Sequence, residues 1–175
     1  MYLGHLLECK KLFGFKLYDI VCMSNHVHEL YQVPKDVTIA QILQRAKGHF
    51  SQKFNKKFGR KGHFWRNKPF YRIVEDESYA YNTMTYFHDN PVKAGMVANA
   101  ADWPYSGYRF HILGERNGLL GQLLDPLPDQ ENLAVNQKRI QTIQKVFKSS
   151  KMRFVGSPNF REAMRKQFGN SQSPP

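Results

Sequence analysis

Apolar and polar positions along the chain follow helical spacing in some stretches and strand-like runs in others, and the switches between them mark the elements. Leu3, Leu6 and Leu7, with Lys10 and Lys11 behind them and Gly14 beyond, predict a short helix over 2–12. The apolar run from Phe15 to Met23 and the run from His26 to Val33 flank the turn-forming pair Ser24-Asn25, which predicts a β-hairpin. Pro34-Lys35-Asp36 ends it. Thr38 followed by Gln41 is a capping-box pattern. Ile39, Ile42, Leu43, Ala46, Phe50, Phe54 and Phe58 then recur on one helical face until Gly59. Trp65, Phe70, Tyr71 and Ile73, with Pro69 among them, read as a loop entering a short strand that ends at Val74. Asp76 can cap the next helix, with Glu77 in its first turn. That helix is expected to finish near Asn90, because Pro91 disfavours helical geometry in the residue before it. Trp103-Pro104-Tyr105 marks a turn, 119–128 a Leu/Pro loop, 132–148 a polar helix and 160–168 a last short helix. This order predicts an α+β fold, an antiparallel sheet with helices on one face.

Composition adds one strong feature, which is charge. The net charge is +12 with a pI near 9.8, so the surface favours a polyanion, and nucleic acid is the expected partner. The charge is concentrated: Arg45, Lys47, Lys53, Lys56, Lys57, Arg60, Lys61, Arg66, Lys68 and Arg72 follow one another with no acid between them. Phenylalanines, Trp65 and Tyr71 are interleaved. Cations that track a backbone, with rings for unstacked bases, are the design expected of single-strand binding. An apolar content of 41% and an aromatic content of 14% exclude a disordered chain. At 175 residues the chain is expected to form one domain with a small appendage. No stretch approaches the length of a spanning helix, and Met1-Tyr2-Leu3-Gly4-His5 does not open a secretory signal. Cys9 and Cys22 lack metal-site spacing and read as reduced thiols, so a cytoplasmic protein with no membrane partner is expected.

The chemistry-bearing residues form two pairs. His26 and His28, two apart on a strand, share one face, while Val27 faces the core. Tyr86 and Asn90, four apart on a helix, share another face, about 6 Å apart along the axis. Tyr81 lies on the opposite face of that helix, and Tyr79 is roughly 16 Å further along it, so Tyr86 is the phenol beside Asn90. His88 points away from both.

Cys22-Met23-Ser24-Asn25-His26-Val27-His28 resembles the strand–turn–strand signature of the HUH single-tyrosine transposases, the insertion-sequence-200-like group with its REP-associated branch. Tyr86-Phe87-His88-Asp89-Asn90-Pro91-Val92-Lys93-Ala94-Gly95-Met96-Val97 resembles that group's tyrosine helix. Asp102-Trp103-Pro104-Tyr105-Ser106 and Gly156-Ser157-Pro158-Asn159-Phe160 are similar to the REP-associated branch's C-terminal extension. The resemblance implies a catalytic domain over 1–110, a helical extension over 111–168 and, beyond it, a disordered tail over 169–175. It implies Tyr86 as nucleophile and His26, His28 and Asn90 as ligands of Mg²⁺ or Mn²⁺. The activity implied is that of an endonuclease and strand-transferase on hairpin-flanked single-stranded DNA. The product would be a 5′-phosphotyrosine and a free 3′-hydroxyl, made by a nucleoid-associated monomer or homodimer. The fold implied is ferredoxin-like, which opens on a strand that this chain lacks before its first helix; another chain supplies it, the sheet lacks it, or the start lies downstream. Glu29 stands where the family carries an apolar residue, on the Val27 side of the strand. The alternatives are an inactive relic that binds single-stranded DNA or RNA without cleavage and an RNA-binding regulator with structural histidines. HUH replication initiators and relaxases are a further enzymatic class.

Overall fold

A computed structural model describes residues 1–149 and 151–169. Apart from Gly169, the tail expected over 169–175 lies outside the described residues. The elements run α1 (Tyr2–Phe13), β1 (Lys16–Cys22), β2 (Val27–Gln32), α2 (Ile39–Phe58), β3 (Ile73–Val74), α3 (Glu77–Lys93), α4 (Tyr108–His111), α5 (Gly118–Leu123), α6 (Gln137–Lys148), β4 (Phe154–Val155) and α7 (Pro158–Phe168). This is the expected α+β class. β1 and β2 pair antiparallel, and β3 and β4 form a two-residue parallel pair. The chain divides into two compact units, Met1–Pro69 with Ala101–Pro126, and Phe70–Ala100 with Leu127–Pro175.

In the first unit, local chemistry sets the elements. α1 ends on Gly14, which takes the left-handed conformation (φ 66°) and returns its N–H to Lys10. At the start of α2, Thr38 Oγ1 accepts the Gln41 N–H while Gln41 Oε1 accepts the Thr38 N–H at 2.8 Å, the reciprocal cap expected. Leu6, Phe15, Leu17, Ile20, Ile42, Ala46 and Phe50 form the core, joined by Leu123 and Leu124. The outer edge of β1 is sealed by strandless backbone: Asp125 N–H bonds Leu17 O, Gly107 N–H bonds Ile20 O, and Cys22 N–H bonds Tyr105 O. These bonds satisfy groups that an edge strand would otherwise expose. Lys10 ties α5 to α1 through Leu123 O and Asp125, each at 2.7 Å.

The second unit is organised around α3 and α6. Asp76 caps α3 by accepting the Tyr79 N–H at 2.7 Å. Asn82, fully buried, donates to Ser78 O and Ala134 O and accepts the Asn136 N–H, which fastens α3 to the start of α6. Tyr79, Ile143, Val146 and Val155 make the core of this unit, with Tyr86 and Phe147 packed against it. Glu75 accepts from the Ser157 N–H and hydroxyl at the start of α7.

Several elements differ from the sequence reading. α3 passes through Pro91 to Lys93 instead of stopping at Asn90. Pro91 sits in the last turn, where only the bond to Phe87 is lost, and burying its ring offsets that loss. The carbonyls of Asn90, Pro91 and Val92 accept from Ala94, Met96 and Gly95. The Leu/Pro loop contains α5, a helix its glycines conceal, because Leu123 is buried against α1. α6 starts at Gln137, capped by Asn136, five residues later than the pattern suggested. β4 and α4 are too short to have left a periodic signal.

Candidate active site

His26 stands immediately before β2 and His28 lies within it, opposite Val21. Met23 N–H donates to His26 O at 2.8 Å and closes the turn between the strands. Strand alternation then puts both imidazoles on one face, while Val27 packs against the core. The rings meet edge to face, with centroids 4.7 Å apart, and the two Nε2 atoms approach to 3.0 Å. Asn25 Oδ1 lies 2.6 Å from His26 Nδ1, which favours the tautomer protonated on Nδ1 and leaves the Nε2 lone pair toward His28. Desolvation lowers the His26 pKa and favours the neutral ring. The two Nε2 atoms, 3.0 Å apart, are close enough that His26 and His28 could hold one cation between them. Among the described residues no three His, Cys, Asp or Glu side chains gather to hold a metal, so an all-protein cage is absent there.

Glu29 lies on the face of β2 opposite the imidazoles. It accepts the Tyr2 hydroxyl at 2.6 Å and is faced by Lys47. Burial raises its carboxyl above the ordinary value, and those two partners oppose the shift.

In the second unit, Tyr86 and Asn90 lie one turn apart on α3 and both are half-buried. Burial raises the Tyr86 phenol, while the nearby Arg72 guanidinium and the Asn90 amide lower it. Asn90 Nδ2 is buried and makes no hydrogen bond. Amide oxygen and nitrogen exchange by a simple flip, so this position can present Oδ1 to a cation equally well. His88, by contrast, is buried at 5% exposure.

The basic residues separate into two groups. Arg45, Lys53, Lys56, Lys57, Arg60, Lys61, Arg66 and Lys68 are exposed on or after α2. Lys47 and Trp65 are half-buried: the ammonium sits 4.7 Å above the indole, and the indole N–H bonds Lys47 O. Arg72 is half-buried too, and its Nη2 donates to the carbonyls of Val146, Phe147 and Ser149 at 3.1–3.4 Å. Its guanidinium lies 4.4 Å from both the Phe70 and Phe147 rings, and Phe147 in turn lies 5.2 Å from Tyr86. Burial lowers the Arg72 pKa to about 10. Arg72 is therefore the cation that closes the C-terminus of α6 behind the tyrosine, where carbonyl dipoles favour positive charge. Sequence reasoning missed Phe147 as the ring beside Tyr86; its place on the apolar side of α6, next to Val146, was the available signal.

No helix among the described residues is long and apolar enough to cross a membrane. Residues 2–90 match the family described as transposase IS200 like. A Haemophilus influenzae protein named "Putative REP-associated tyrosine transposase" is 26% identical over 113 residues, covering 59% of this chain and 64% of that relative. No solved structure matches. The family match takes in the hairpin histidines and ends on Asn90, so both residue pairs fall within it, and the chain belongs to the IS200-like transposase family.

Proposed function

We propose that the chain is a metal-dependent endonuclease and strand-transferase that cuts single-stranded DNA at hairpin-flanked sites through a covalent tyrosine intermediate. The observation that carries this reading is the pair of imidazole nitrogens 3.0 Å apart, with the His26 tautomer favoured by Asn25. His26, His28 and Asn90 would hold Mg²⁺ or Mn²⁺, which when bound draws charge from the scissile phosphate and orients it. Tyr86 Oη attacks phosphorus, the bond from phosphorus to the 3′ oxygen breaks, and a 5′-phosphotyrosine forms. One proton leaves the phenol and one is gained by the departing 3′ oxygen, so the step conserves protons. The ester bond is exchanged rather than hydrolysed, so a second 3′-hydroxyl can reverse the step and join strands. Arg72 favours the phenolate by charge, and the exposed cations of α2 and the following loop bind the strand.

The test is incubation with labelled single-stranded hairpin DNA and Mn²⁺, followed by a denaturing gel. A covalent adduct is expected, and Tyr86→Phe and His26→Ala are each expected to abolish it. Mixing those two variants restores the adduct if the tyrosine of one copy serves the histidines of another. Tight DNA binding with no adduct under either metal would identify a binding protein without catalysis. Preference for RNA over DNA would identify a regulator.

A further inference from the structure

α6 carries its charge differently from the other long helices of the second unit. α3 and α7 each set a cation against an acid four residues away, Lys93 with Asp89 at 3.0 Å and Lys166 with Glu162 at 2.8 Å. α6 has no acid to set. From Asn132 to Phe160 the chain carries Lys138, Arg139, Lys145, Lys148, Lys151 and Arg153, with neither Asp nor Glu among them. The helix dipole accounts for Lys145 and Lys148, in the last turn, but opposes the two cations of the first turn. Arg139 is taken up locally: it donates to the Ser78 hydroxyl and lies over the Tyr79 ring at 4.8 Å. Lys138, Lys145 and Lys148 are exposed, and helical spacing puts them on one side, away from the buried Ile140 and Ile143.

The C-terminal end of this side meets the tyrosine. Phe147 packs on Tyr86 with ring centroids 5.2 Å apart. Just beyond the helix, the Arg153 guanidinium lies 4.2 Å from the centre of the Phe70 ring, and that of Arg72 lies 4.4 Å from the same centre. The two like charges repel each other, and among the described residues neither joins an ion pair. Arg72 donates to the carbonyls that end α6, which leaves Arg153 as the cation able to face an anion. Phe70 is 40% exposed, so the cluster opens to solvent. From Lys138 to Lys148 the helix rises about 15 Å, the length of about four stacked nucleotides at about 3.4 Å each. Cleavage by Tyr86 leaves the nucleotides after the cut attached to it by their 5′-phosphate, so that strand departs from the surface of this unit.

We infer that the outer side of α6, with Arg153 at its tyrosine end, is the track that holds the single-stranded DNA linked to Tyr86 after cleavage. This rests on the proposed function and adds to it a place for the covalent product. A face of cations and glutamines with no acid binds phosphates without reading bases, so the track keeps the linked strand in position for rejoining whatever its sequence.

The test uses the full chain with Tyr86→Cys and Cys22→Ala, joined by a disulfide to a 5′-thiol oligothymidylate; Cys9 is buried and does not compete. This puts a strand where cleavage would leave one without requiring cleavage. Anisotropy of a fluorophore on the fourth nucleotide is expected to be high at low salt and to fall as salt rises. Adding Lys145→Gln/Lys148→Gln/Arg153→Gln is expected to lower the salt slope of the held-to-free equilibrium by about 2, three cations at about 0.7 each. Lys145→Gln/Lys148→Gln alone, which leaves the Phe70 stack intact, is expected to lower it by about 1.4. Low anisotropy at every salt concentration, or an unchanged slope in both variants, overturns the track. So does a larger effect from Lys56→Gln/Lys57→Gln/Arg60→Gln, which would give the linked strand to α2. None of these three results touches the cleavage reading, which the denaturing gel tests separately; absence of the adduct there overturns the reading and the track together.

Discussion

Replacing Arg72 with methionine separates two roles that one cation could have, DNA contact or closure of a helix. The guanidinium offers Nη2 to three carbonyls at the end of α6, at 3.1–3.4 Å. That nitrogen has only two hydrogens, so at most two bonds form fully, and the distances lie at the long end of the range. At about 1.5 kcal/mol for each bond from a charged donor, the loss is about 3 kcal/mol. Two terms reduce it. Arg72 Nε is buried without a partner, and methionine removes that cost. A thioether between Phe70 and Phe147 also recovers part of the ring contact, roughly 0.5 kcal/mol. A net loss of about 2 kcal/mol remains, which for a chain of this size lowers Tm by about 4–8 °C. Circular dichroism melts measure this, and anisotropy titrations against salt measure DNA affinity on the same samples. The expected result is a lowered Tm with an unchanged salt slope. An unchanged Tm with the slope reduced by about one would refute helix closure and return Arg72 to the phosphate-binding group.

Two further outcomes follow from buried polar groups. The Glu29 carboxyl is raised by burial, so the folded chain binds more protons than the unfolded one above the ordinary value of 4.5, and stability falls as pH rises from there to the folded value. Glu29→Gln, which keeps an acceptor for Tyr2, is expected to flatten that fall in urea midpoints taken across the window; a parallel fall in both proteins would disprove the linkage. Asn82→Ala removes three hydrogen bonds and leaves a void between α3 and the start of α6, a loss of about 2–4 kcal/mol. It should appear as a lowered urea midpoint at constant slope, and a midpoint equal to the wild type would show that this link contributes nothing.

How far the fold was legible depended on how far apart the interacting residues lie. The capping box of α2, the glycine closing α1 and the His26-Val27-His28 alternation are set by neighbours within four residues, and each is present. α5 was illegible because Gly118 and Gly121 argue locally against a helix, and only the burial of Leu123 in a core shared with α1 explains it. Pro91 misled for the same reason: a local preference for ending the helix yields to the burial of its ring. Arg72 shows the limit most clearly. In the sequence it is the last member of a run of cations and carries no mark that sets it apart from Lys68. Its partners lie 74 to 77 residues away, at the end of a helix whose start was itself misjudged. A charge run is therefore readable as a property of a surface, but the assignment of any one member requires its neighbours in space. The cations from Arg45 to Lys68 that are exposed remain available to solvent, whereas the Arg72 guanidinium is half-buried near Tyr86. A pattern of ten like charges can thus contain two different environments, one of solvent and the other of carbonyl oxygens.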